Sequence, residues 1–409
     1  MLKNAKCETL EFQDLSCSEE DSEDYEYDNK KIAELIKSVP LLKDLFKVHG
    51  KIGEGTFSSV FLATLKSSDG LKKFAVKHLV PTCHPDRIEQ ELQCLQKIGG
   101  TDHVAGLELC VRSAGSIIFV MPYMKHDRFS HYVHNMSVQE TKDYMRALLT
   151  ALKRVHKFNI IHRDIKPSNF LYDRKSRRYL LVDFGLAQQY TEETKLSIDN
   201  KAQVLSNYSV KRKRSDENRV EKVRENTKKA AETKCVCFGK ARICSVCLIK
   251  PPQVASRAGT PGFRAPEVLL KYPYQTPAID IWASGVIMLC ILSGTQLFFR
   301  SPDDCTALSE ITSIFGSARM QQCARKLGRK LVFSENIPGI DIVSLCQKLR
   351  NRNKACRAIN ALNDLNKRAS EHLVYPMTAY DLLIRLLDPD FKTRATAEQA
   401  LNHPFLQTS

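Results

Sequence analysis

The stretch IHRDIKPSNFL at residues 161–171 decides how this sequence is interpreted. Fourteen residues after Asn169, the triplet DFG places Asp183 directly behind an apolar run. Carboxylate and amide oxygens are hard ligands that suit Mg²⁺, so Asn169 and Asp183 are predicted to hold this ion. Asp164 can accept the proton of a substrate hydroxyl, and Lys166 can reach a phosphoryl group during its transfer. Each residue alone also fits a turn or a helix cap, but the order and spacing together predict phosphoryl transfer.

A glycine-rich segment, GEGTFS at residues 53–58, separates two apolar runs that are typical of strands. Two glycines in such a turn allow backbone amides to approach a polyphosphate closely. An ordinary hairpin turn is the alternative interpretation, and Ser58 stands where a third glycine would complete the phosphate-binding pattern. The candidate nucleotide-binding residues of this segment are Ile52, Gly53, Glu54, Gly55, Thr56, Phe57 and Ser58.

Lys77 ends the apolar run FAVK and is therefore expected to be buried. A buried ammonium group without a counter-charge is strongly destabilising, so Lys77 needs an anion. Glu91 in the following predicted helix is the candidate partner, because Glu89 would point to another side of that helix. A surface lysine and a surface glutamate are the alternative interpretation of this pair.

Hydrophobic periodicity places a β-rich segment before a mainly helical one, which predicts an α+β fold. Pro40 is expected to interrupt the first helical segment, and Ser137 opens a long helix with Glu140 at capping-box spacing. Strands are predicted within 48–65, 72–80 and 116–124, and helices within 30–47, 87–100 and 137–159.

Charge is distributed unevenly along the 409 residues, which carry a net charge of +16. Residues 8–28 contain acidic side chains but no Lys or Arg, and a disordered acidic tail is predicted over 1–29, either solvated or used for docking. Residues 191–257 hold 16 basic and 8 acidic residues and so contribute +8. The 43% hydrophobic content excludes wholesale disorder. No apolar run is long enough for a membrane span, and no secretory signal is recognised, so the 14 cysteines are expected to be mostly thiols.

Taken together, these motifs resemble the signature of the protein kinase family. The resemblance extends to Ala265-Pro266-Glu267, to DIWASG at 280–285 and to Arg394, and it covers residues 46–409 apart from two insertions. It implies a bilobal kinase fold, with an N-lobe at 48–121 and a hinge and C-lobe at 122–409, and it implies ATP and Mg²⁺ as cofactors.

The resemblance also assigns residues to the nucleotide and to the framework of the site. It implies a gatekeeper at Met121, a hinge at Pro122, Tyr123 and Met124, and an adenine pocket lined by Val60, Ala75 and Leu171. It further implies an ion pair between Glu267 and Arg394, support of the catalytic loop by Asp280, and an apolar column of Leu95, His162 and Phe184. All the groups that a kinase needs for catalysis are present, which predicts an active enzyme. They are Lys77, Glu91, Asp164, Asn169 and Asp183.

Two long insertions narrow the resemblance further. The segment from Asp183 to Glu267 has 85 residues, so an insertion at 191–257 is predicted in the activation loop, and a second is predicted at 318–372. This pattern closely resembles the cell-division-cycle seven kinases, the catalytic subunits of Dbf-four-dependent kinases, although the insertions are short for that family. The resemblance implies a nuclear Ser/Thr kinase that phosphorylates the MCM helicase and requires a regulatory activator subunit. A non-catalytic scaffold, an acidophilic kinase of another type and a nucleic-acid-binding protein are the alternatives.

The loop before Glu267 suggests how a substrate is chosen. Thr260 matches the kinase position that contacts Asp164 and Lys166 and helps to select Ser or Thr. Arg257 and Arg264 flank the segment that meets the residue after the phosphoacceptor, where guanidinium groups would favour an acidic or phosphorylated side chain. Solvated loop arginines are the alternative interpretation.

Four cysteines in the first insertion have a spacing that suits one tetrahedral ion, and structural Zn²⁺ fits best. They are Cys235, Cys237, Cys244 and Cys247. Free thiols are the alternative. The nearby run KRKR at 211–214 resembles a nuclear-import signal or a basic linker, and direct nucleic-acid binding is not expected because no groove-reading motif accompanies it.

Activation is predicted to depend on a bound protein. No Thr or Tyr has the spacing of a typical activation-loop phosphosite, and the usual phosphate partner of Arg163 is not evident. A partner protein that orders the helix carrying Glu91 is therefore hypothesised, with residues 30–47 and both insertions as candidate docking elements.

Overall fold

The computed structural model describes residues 19–55, 58–67, 72–79, 84–113, 115–190, 258–361 and 374–407, without the side chains of 19–28 and 354–361. The chain forms two compact units. Unit 1 consists of residues 1–81 and 109–123, and unit 2 consists of residues 82–108 and 124–409. The first predicted insertion, 191–257, lies outside the described residues.

Unit 1 contains an antiparallel sheet with the strand order β1-β2-β3-β5-β4. The predicted β-rich character of this part of the chain is confirmed, and β4 is an additional strand that the sequence pattern did not indicate. The strands are β1 (Phe46–Gly55), β2 (Ser58–Leu65), β3 (Lys73–Leu79), β4 (Leu109–Ser113) and β5 (Ser116–Pro122).

Two helices precede the sheet, α1 (Glu19–Ser38) and α2 (Leu41–Leu45). Pro40 separates them, as predicted, because a proline cannot donate the backbone hydrogen bond that a continuous helix requires. Apolar side chains of both helices are buried in one cluster with side chains from one face of the sheet. The cluster contains Leu35, Val39, Leu42, Phe46, Phe61, Ala63, Phe74, Val76, Val111, Ile118 and Val120.

The boundary of the predicted acidic tail requires a correction. Helix α1 begins at Glu19, ten residues before the predicted end of the disordered segment 1–29. Acidic residues are favourable in the first turns of a helix, where they face the positive end of the helix dipole. Leu35 and Val39, at the other end of this helical segment, are buried in the core. Because a helix grows more easily from turns that are already formed, it can extend back toward Glu19. Residues 1–18 lie outside the described residues.

Unit 2 is mainly helical and is organised around α7, whose residues from Ile279 to Ser293 are buried. Helices α5, α10 and α11 pack against α7. The helices are α3 (Pro85–Lys97), α4 (Phe129–Tyr132), α5 (Val138–Lys157), α6 (Pro266–Leu269), α7 (Ala278–Ser293), α8 (Asp304–Phe315), α9 (Ser317–Lys326), α10 (Ile342–Ala361), α11 (Met377–Leu386), α12 (Ala397–Leu401) and α13 (Pro404–Gln407). The short strands are β6 (Ile160–Ile161), β7 (Phe170–Asp173), β8 (Arg178–Leu181) and β9 (Gln188–Gln189).

Part of the second predicted insertion, 318–372, belongs to the core of unit 2. The helical character predicted for this stretch is confirmed by α9 and α10. Buried Arg350 on α10 donates from Nε to the carbonyl of Leu292 at 2.8 Å and also donates to the carbonyl of Ile291. These carbonyls end α7, and a cation there also faces the negative end of the helix dipole. Residues 362–373 lie outside the described residues.

The start of α5 differs in one detail from a capping box. Ser137 Oγ accepts a hydrogen bond from the backbone amide of Glu140 at 3.0 Å, as expected for an N-cap. The Glu140 carboxylate instead accepts from Nε of Arg174 at 2.7 Å and from the hydroxyl of Tyr172 at 3.0 Å. Glu140 is thus used to fix the β7–β8 hairpin against α5.

Candidate active site

The loop that carries the motif of residues 162–169 connects β6 to β7 and is held by Asp280 on α7. One carboxylate oxygen of Asp280 accepts from the backbone amide of His162, and the other accepts from that of Arg163, both at 2.8 Å. His156 on α5 contacts the same carboxylate at 2.9 Å. The expected support of this loop by Asp280 is confirmed.

Asp164 is 8% exposed and lies at the centre of a hydrogen-bond network. Asn169 Nδ2 donates to Asp164 Oδ2 at 3.0 Å and to its backbone carbonyl at 2.9 Å. The Thr260 hydroxyl donates to Asp164 Oδ1 at 2.7 Å, and the Thr260 amide donates to the same oxygen at 3.0 Å. Lys166 Nζ lies 2.9 Å from Asp164 Oδ2 and donates to Thr260 Oγ1 at 2.8 Å. The network fixes the direction of the carboxylate, and the contacts expected for Thr260 are present.

A glycine next to Thr260 permits this approach of two loops. Gly259 has φ +104°, and a Cβ at this position would lie 2.7 Å from the carbonyl oxygen of Arg163. A larger residue would therefore have to push apart the loop with Asp164 and the loop with Thr260. Because the hydroxyl of Thr260 bridges Asp164 and Lys166, this spacing determines the geometry of the network.

The second predicted metal ligand, Asp183, is exposed and has φ +67°. Its Oδ1 accepts a hydrogen bond of 3.4 Å from the amide of Gly185. The amide of Val182 donates to the carbonyl of Asn169 at 2.9 Å, so the segments that carry both predicted ligands are tied together. Asn169 donates both of its hydrogen bonds to Asp164 from Nδ2, so its Oδ1 is the atom suited to a cation.

Two members of the predicted apolar column are in ring contact. The centroids of His162 and Phe184 are 4.9 Å apart, and both side chains are buried. Leu95 on α3 is also buried. Its stacking on the other two residues remains a prediction.

Lys77 lies on β3 and is 5% exposed, which agrees with the expected burial. Its cross-strand neighbours are Val60 on β2 and Phe119 on β5. Ala75 pairs with Met121, and Val60, Ala75 and Met121 are half-buried. Side chains alternate between the two faces of a strand, so these residues lie on the face opposite the α1–α2 cluster. This face combines an apolar strip with a buried cation, a combination suited to a base and a phosphate.

The glycine-rich segment forms the β1–β2 hairpin. Gly53 is paired with Val60, and Gly55 is paired with Ser58, while Thr56 and Phe57 lie outside the described residues. Ile52 is exposed and lies at an irregularity of the strand pairing. Glu54 is also exposed, and its hydrogen bond with Lys51 lowers the pKa of its carboxyl group.

The segment predicted as the hinge follows β5. Pro122 pairs with Phe74, and the amide of Tyr123 donates to the carbonyl of Lys73 at 3.1 Å. Met124 is buried in unit 2, where Leu171 lies half-buried on β7.

Glu91 on α3 is 4% exposed, whereas Glu89 is exposed and accepts from Gln93 at 3.0 Å. The burial supports the choice of Glu91 as the charged residue that needs a partner. Burial, together with the nearby charge of Glu91, raises the pKa of the Cys94 thiol to about 12. The pairing of Glu91 with Lys77 remains a prediction.

The ion pair expected between Glu267 and Arg394 is confirmed. It is bidentate, with distances of 2.7 and 3.0 Å, and both side chains are buried. The Arg394 guanidinium also lies 5.2 Å from the ring centroid of Trp282. This pair joins α6 to the segment before α12, so it supports the framework of unit 2.

Arg264, predicted to favour an acidic side chain after the phosphoacceptor, already has partners within unit 2. Its Nη1 lies 2.7 Å from Oδ1 of Asp304 on α8, so its charge is already compensated. Its Nε and Nη2 both donate to the carbonyl of Gly259, at 2.9 and 2.6 Å. Asp304 follows Arg264 by forty residues, and no local pattern indicates the contact. Arg257 lies outside the described residues.

Gln275 is another residue that the sequence did not single out. It is 4% exposed, and its Oε1 accepts from Nε of Arg163 at 3.0 Å. Burial lowers the pKa of the Arg163 guanidinium to about 10. Arg163 and Gln275 are far apart in sequence, so only the fold brings them together.

The predicted zinc ligands Cys235, Cys237, Cys244 and Cys247 lie outside the described residues. Within the described ranges, no group of three or more His, Cys, Asp or Glu side chains could hold a metal ion. The helices of the same ranges include none that is long and apolar enough to cross a membrane.

Comparison with known proteins identifies the family. A model of the protein kinase domain matches residues 46–210 and 226–406. The cell division cycle 7-related protein kinase of Mus musculus is 35% identical, over 92% of this chain and 93% of the mouse protein. A non-specific serine/threonine protein kinase of Drosophila melanogaster is 34% identical, over 98% of this chain and 73% of its own length. The cell cycle serine/threonine-protein kinase hsk1 of Schizosaccharomyces pombe is 31% identical, over 98% and 82% respectively.

The alignment with the mouse protein extends over 524 positions, more than the 409 residues of this chain, so the mouse protein has additional residues within the aligned region. The expectation that the insertions are short for the family stays a prediction. The fold, with an antiparallel sheet followed by a helical part, agrees with the matched family. The chain therefore belongs to the protein kinase family, in the branch of the Cdc7-related serine/threonine kinases.

Proposed function

We propose that this cell-cycle serine/threonine kinase phosphorylates MCM helicase subunits at Ser or Thr followed by an acidic or phosphorylated residue. We also propose that a regulatory subunit of the Dbf-four type activates it and that it acts in the nucleus. The observation that carries the catalytic part is the network that orients Asp164 through Asn169, Lys166 and Thr260.

Asp164 acts as the base in this proposal. Its two oxygens are held by different partners, Oδ1 by Thr260 and Oδ2 by Asn169 and Lys166, so the carboxylate cannot rotate freely. A substrate hydroxyl that binds to the carboxylate would be aligned for attack and would give up its proton there. Lys166 lies close enough to stabilise the negative charge on the transferred group. Thr260, which contacts both, would help to select Ser or Thr as the phosphoacceptor.

The donor groups present fit the cofactors that a protein kinase uses. Asn169 and Asp183 offer amide and carboxylate oxygens for Mg²⁺, and Lys77, paired with Glu91, is proposed to bind phosphate oxygens. The half-buried strip of Val60, Ala75 and Met121 offers an apolar surface to adenine. Leu171 stays a candidate adenine contact on the strength of the family resemblance. When bound, ATP supplies the phosphoryl group, and Mg²⁺ neutralises the charge that develops during its transfer.

The activator is proposed to dock on a surface that includes the segment 30–47. The surface that this segment can offer to an activator is smaller than the sequence suggested, because Leu35, Val39 and Leu42 are already buried against the sheet. The side chains of this segment that remain available are exposed ones, including Leu41 and Leu45 on α2. The insertions stay candidate docking elements, and the KRKR run at 211–214 stays a candidate import signal.

A kinase assay on the MCM helicase tail, with and without the activator subunit, tests the proposal. We expect phosphate transfer to Ser or Thr that rises strongly with the activator. Asp164→Asn should lower kcat by about 10²–10⁴-fold because it removes the base, and a circular dichroism spectrum equal to that of the wild type excludes unfolding as the cause. Equal activity with and without the activator would contradict the regulatory part, and full activity of Asp164→Asn would contradict the catalytic part.

A structural Zn²⁺ bound by Cys235, Cys237, Cys244 and Cys247 is part of the proposal. Metal analysis of the purified chain, without the activator, should find about one zinc per chain. Changing Cys244 and Cys247 together to Ser should remove it. A metal-free chain in which all four thiols react freely would contradict the site.

A further inference from the structure

Arg264 has two different kinds of partner. One edge of its guanidinium, formed by Nε and Nη2, donates to the carbonyl of Gly259 at 2.9 and 2.6 Å. The remaining terminal nitrogen, Nη1, forms an ion pair of 2.7 Å with Oδ1 of Asp304. Both charged side chains are mostly buried, with exposed fractions of 18% and 15%. The position of the guanidinium and its charge are therefore controlled by separate groups.

The contact with Gly259 fixes the position of Arg264. Two hydrogen bonds from one edge of a planar guanidinium to a single oxygen determine both the direction and the plane of the group. Gly259 itself lies close to the carbonyl of Arg163, an approach that is possible because glycine has no Cβ. The anchor therefore does not depend on Asp304, and removal of the Asp304 charge should leave the guanidinium in place.

The contact with Asp304 cancels the charge of Arg264. Asp304 lies in the first turn of α8, a twelve-residue helix whose N-cap is the neighbouring Asp303. A second carboxylate that binds the remaining N–H groups of Arg264 would meet the negative charge of Asp304 on the same guanidinium. Like charges at such short range repel each other, more so where solvent is partly excluded.

We propose that Asp304 determines how strongly the enzyme selects an acidic residue after the phosphoacceptor, by competing with that residue for Arg264. The inference rests on the proposed acidic preference and deepens it. Asp304 occupies the place that the acidic side chain of the substrate would take on Arg264. A substrate with a single carboxylate therefore gains less binding energy from Arg264. A phosphorylated side chain, which carries up to two charges and three acceptor oxygens, competes better with Asp304 than Asp or Glu does.

Asp304→Asn tests the proposal, because it removes the charge and keeps the size of the side chain. Asp303→Asn is the matched control. Asp303 carries the same charge one residue earlier and caps α8 by accepting from the amides of Cys305 and Thr306, a role that Asn fills equally well. The full-length enzyme with its activator is assayed on three peptides that differ only in the following residue, which is Ala, Glu or phosphoserine.

The quantity measured is the ratio of kcat/KM for each acidic peptide to kcat/KM for the Ala peptide. For Asp304→Asn we expect the Glu/Ala ratio to rise about fivefold, and the phosphoserine/Ala ratio to rise at least as much, with both gains shrinking at high salt. Asp303→Asn should leave both ratios near those of the wild type. A change of stability alone would affect all three peptides equally and leave the ratios unchanged.

The outcomes separate this inference from the proposed function. If the wild type prefers acidic peptides and Asp304→Asn leaves the ratios unchanged or lowers them, competition by Asp304 is refuted while the acidic preference stands. If the wild type shows no preference and Asp304→Asn creates one, the inference is supported and the preference proposed for the wild type is refuted. If neither enzyme distinguishes the peptides, both are refuted.

Discussion

Arg163 Nε donates a hydrogen bond of 3.0 Å to Oε1 of Gln275, a buried neutral side chain from the segment before α7. Arg163 directly precedes Asp164, and its backbone amide is bound by Asp280. The Arg163 guanidinium is thus bound by the side-chain amide of Gln275, which lies in the same unit. Arg163 therefore anchors the loop that carries Asp164 through both its side chain and its backbone amide. The contact gives the Arg163 guanidinium a neutral, buried partner within unit 2.

Replacing Gln275 with Ala should lower kcat by about tenfold or more, because a hydrogen bond to a charged buried group contributes ~1.5–3 kcal/mol. The Michaelis constant for ATP should change little, since Gln275 acts on the catalytic loop. Gln275→Glu keeps an acceptor for Arg163 and should retain more activity than Gln275→Ala. An unchanged kcat in Gln275→Ala would show that the contact does not position Asp164.

Replacing Thr260 with Ala should lower kcat by about 10–100-fold, because the hydroxyl that bridges Asp164 and Lys166 is lost. Thr260→Ser retains the hydroxyl and serves as the control, with a kcat close to that of the wild type. Steady-state kinetics on a Ser peptide and a Thr peptide measure both effects. Equal losses in the two variants would indicate that the methyl group, and not the hydroxyl, is the important part.

The helices before the sheet offer a matched pair for a stability test. Leu42 on α2 is fully buried in the cluster, whereas the adjacent Leu41 is 47% exposed. Leu42→Ala should lower the free energy of unfolding by ~2–5 kcal/mol, because it leaves a cavity in the core. Leu41→Ala should change it by no more than ~0.5 kcal/mol. Thermal unfolding of both variants decides whether the N-terminal helices belong to the folded core.

The pair of Glu267 and Arg394 should be far more sensitive than an exposed ion pair. Arg394→Met leaves a buried carboxylate without its counter-charge and should destabilise the protein by ~3–5 kcal/mol. Lys153 and Glu398 form a pair of 3.0 Å between exposed side chains, and Lys153→Met should cost no more than ~1 kcal/mol. Similar melting temperatures for the two variants would contradict the structural role of the buried pair.

Cysteine reactivity should follow burial. Desolvation raises the pKa values of Cys94, Cys290, Cys323 and Cys346 to about 12, so at pH 8 roughly one thiol in ten thousand is ionised at these positions. Cys305, which is exposed, should therefore react first among the cysteines whose side chains the structure describes. Alkylation of the native protein followed by peptide mapping measures the order. Rapid labelling of Cys290 would show that α7 opens on the time scale of the reaction.

Much of the catalytic constellation could be predicted because its members are close in sequence or occupy regular elements. Asp164, Lys166 and Asn169 belong to one loop, where spacing alone brings them within reach of each other. The choice of Glu91 over Glu89 depended on the period of a helix, which follows from backbone geometry. The break at Pro40 had an equally local cause.

Contacts between distant segments could not be predicted in this way. Arg264 was expected to favour an acidic side chain after the phosphoacceptor, and only the fold shows its ion pair with Asp304, forty residues later. The segment 30–47 was expected to offer a docking face, but the sheet of unit 1 covers its apolar side. In both cases packing between distant segments decided which side chains have partners within the chain.

The sequence by itself determined the kind of reaction, because phosphoryl transfer requires particular oxygen donors, a base and a lysine, and these residue types stand in a recognisable order. The tertiary structure alone decided which charges remain available to a substrate and which are compensated internally. The physical reason is that the strength of a charged interaction depends on distance and solvent exposure, and both are set by chain segments far apart in sequence. Asp164, Arg163 and Arg264 therefore acquire their distinct environments only when Thr260, Gln275 and Asp304 are brought to them by the fold.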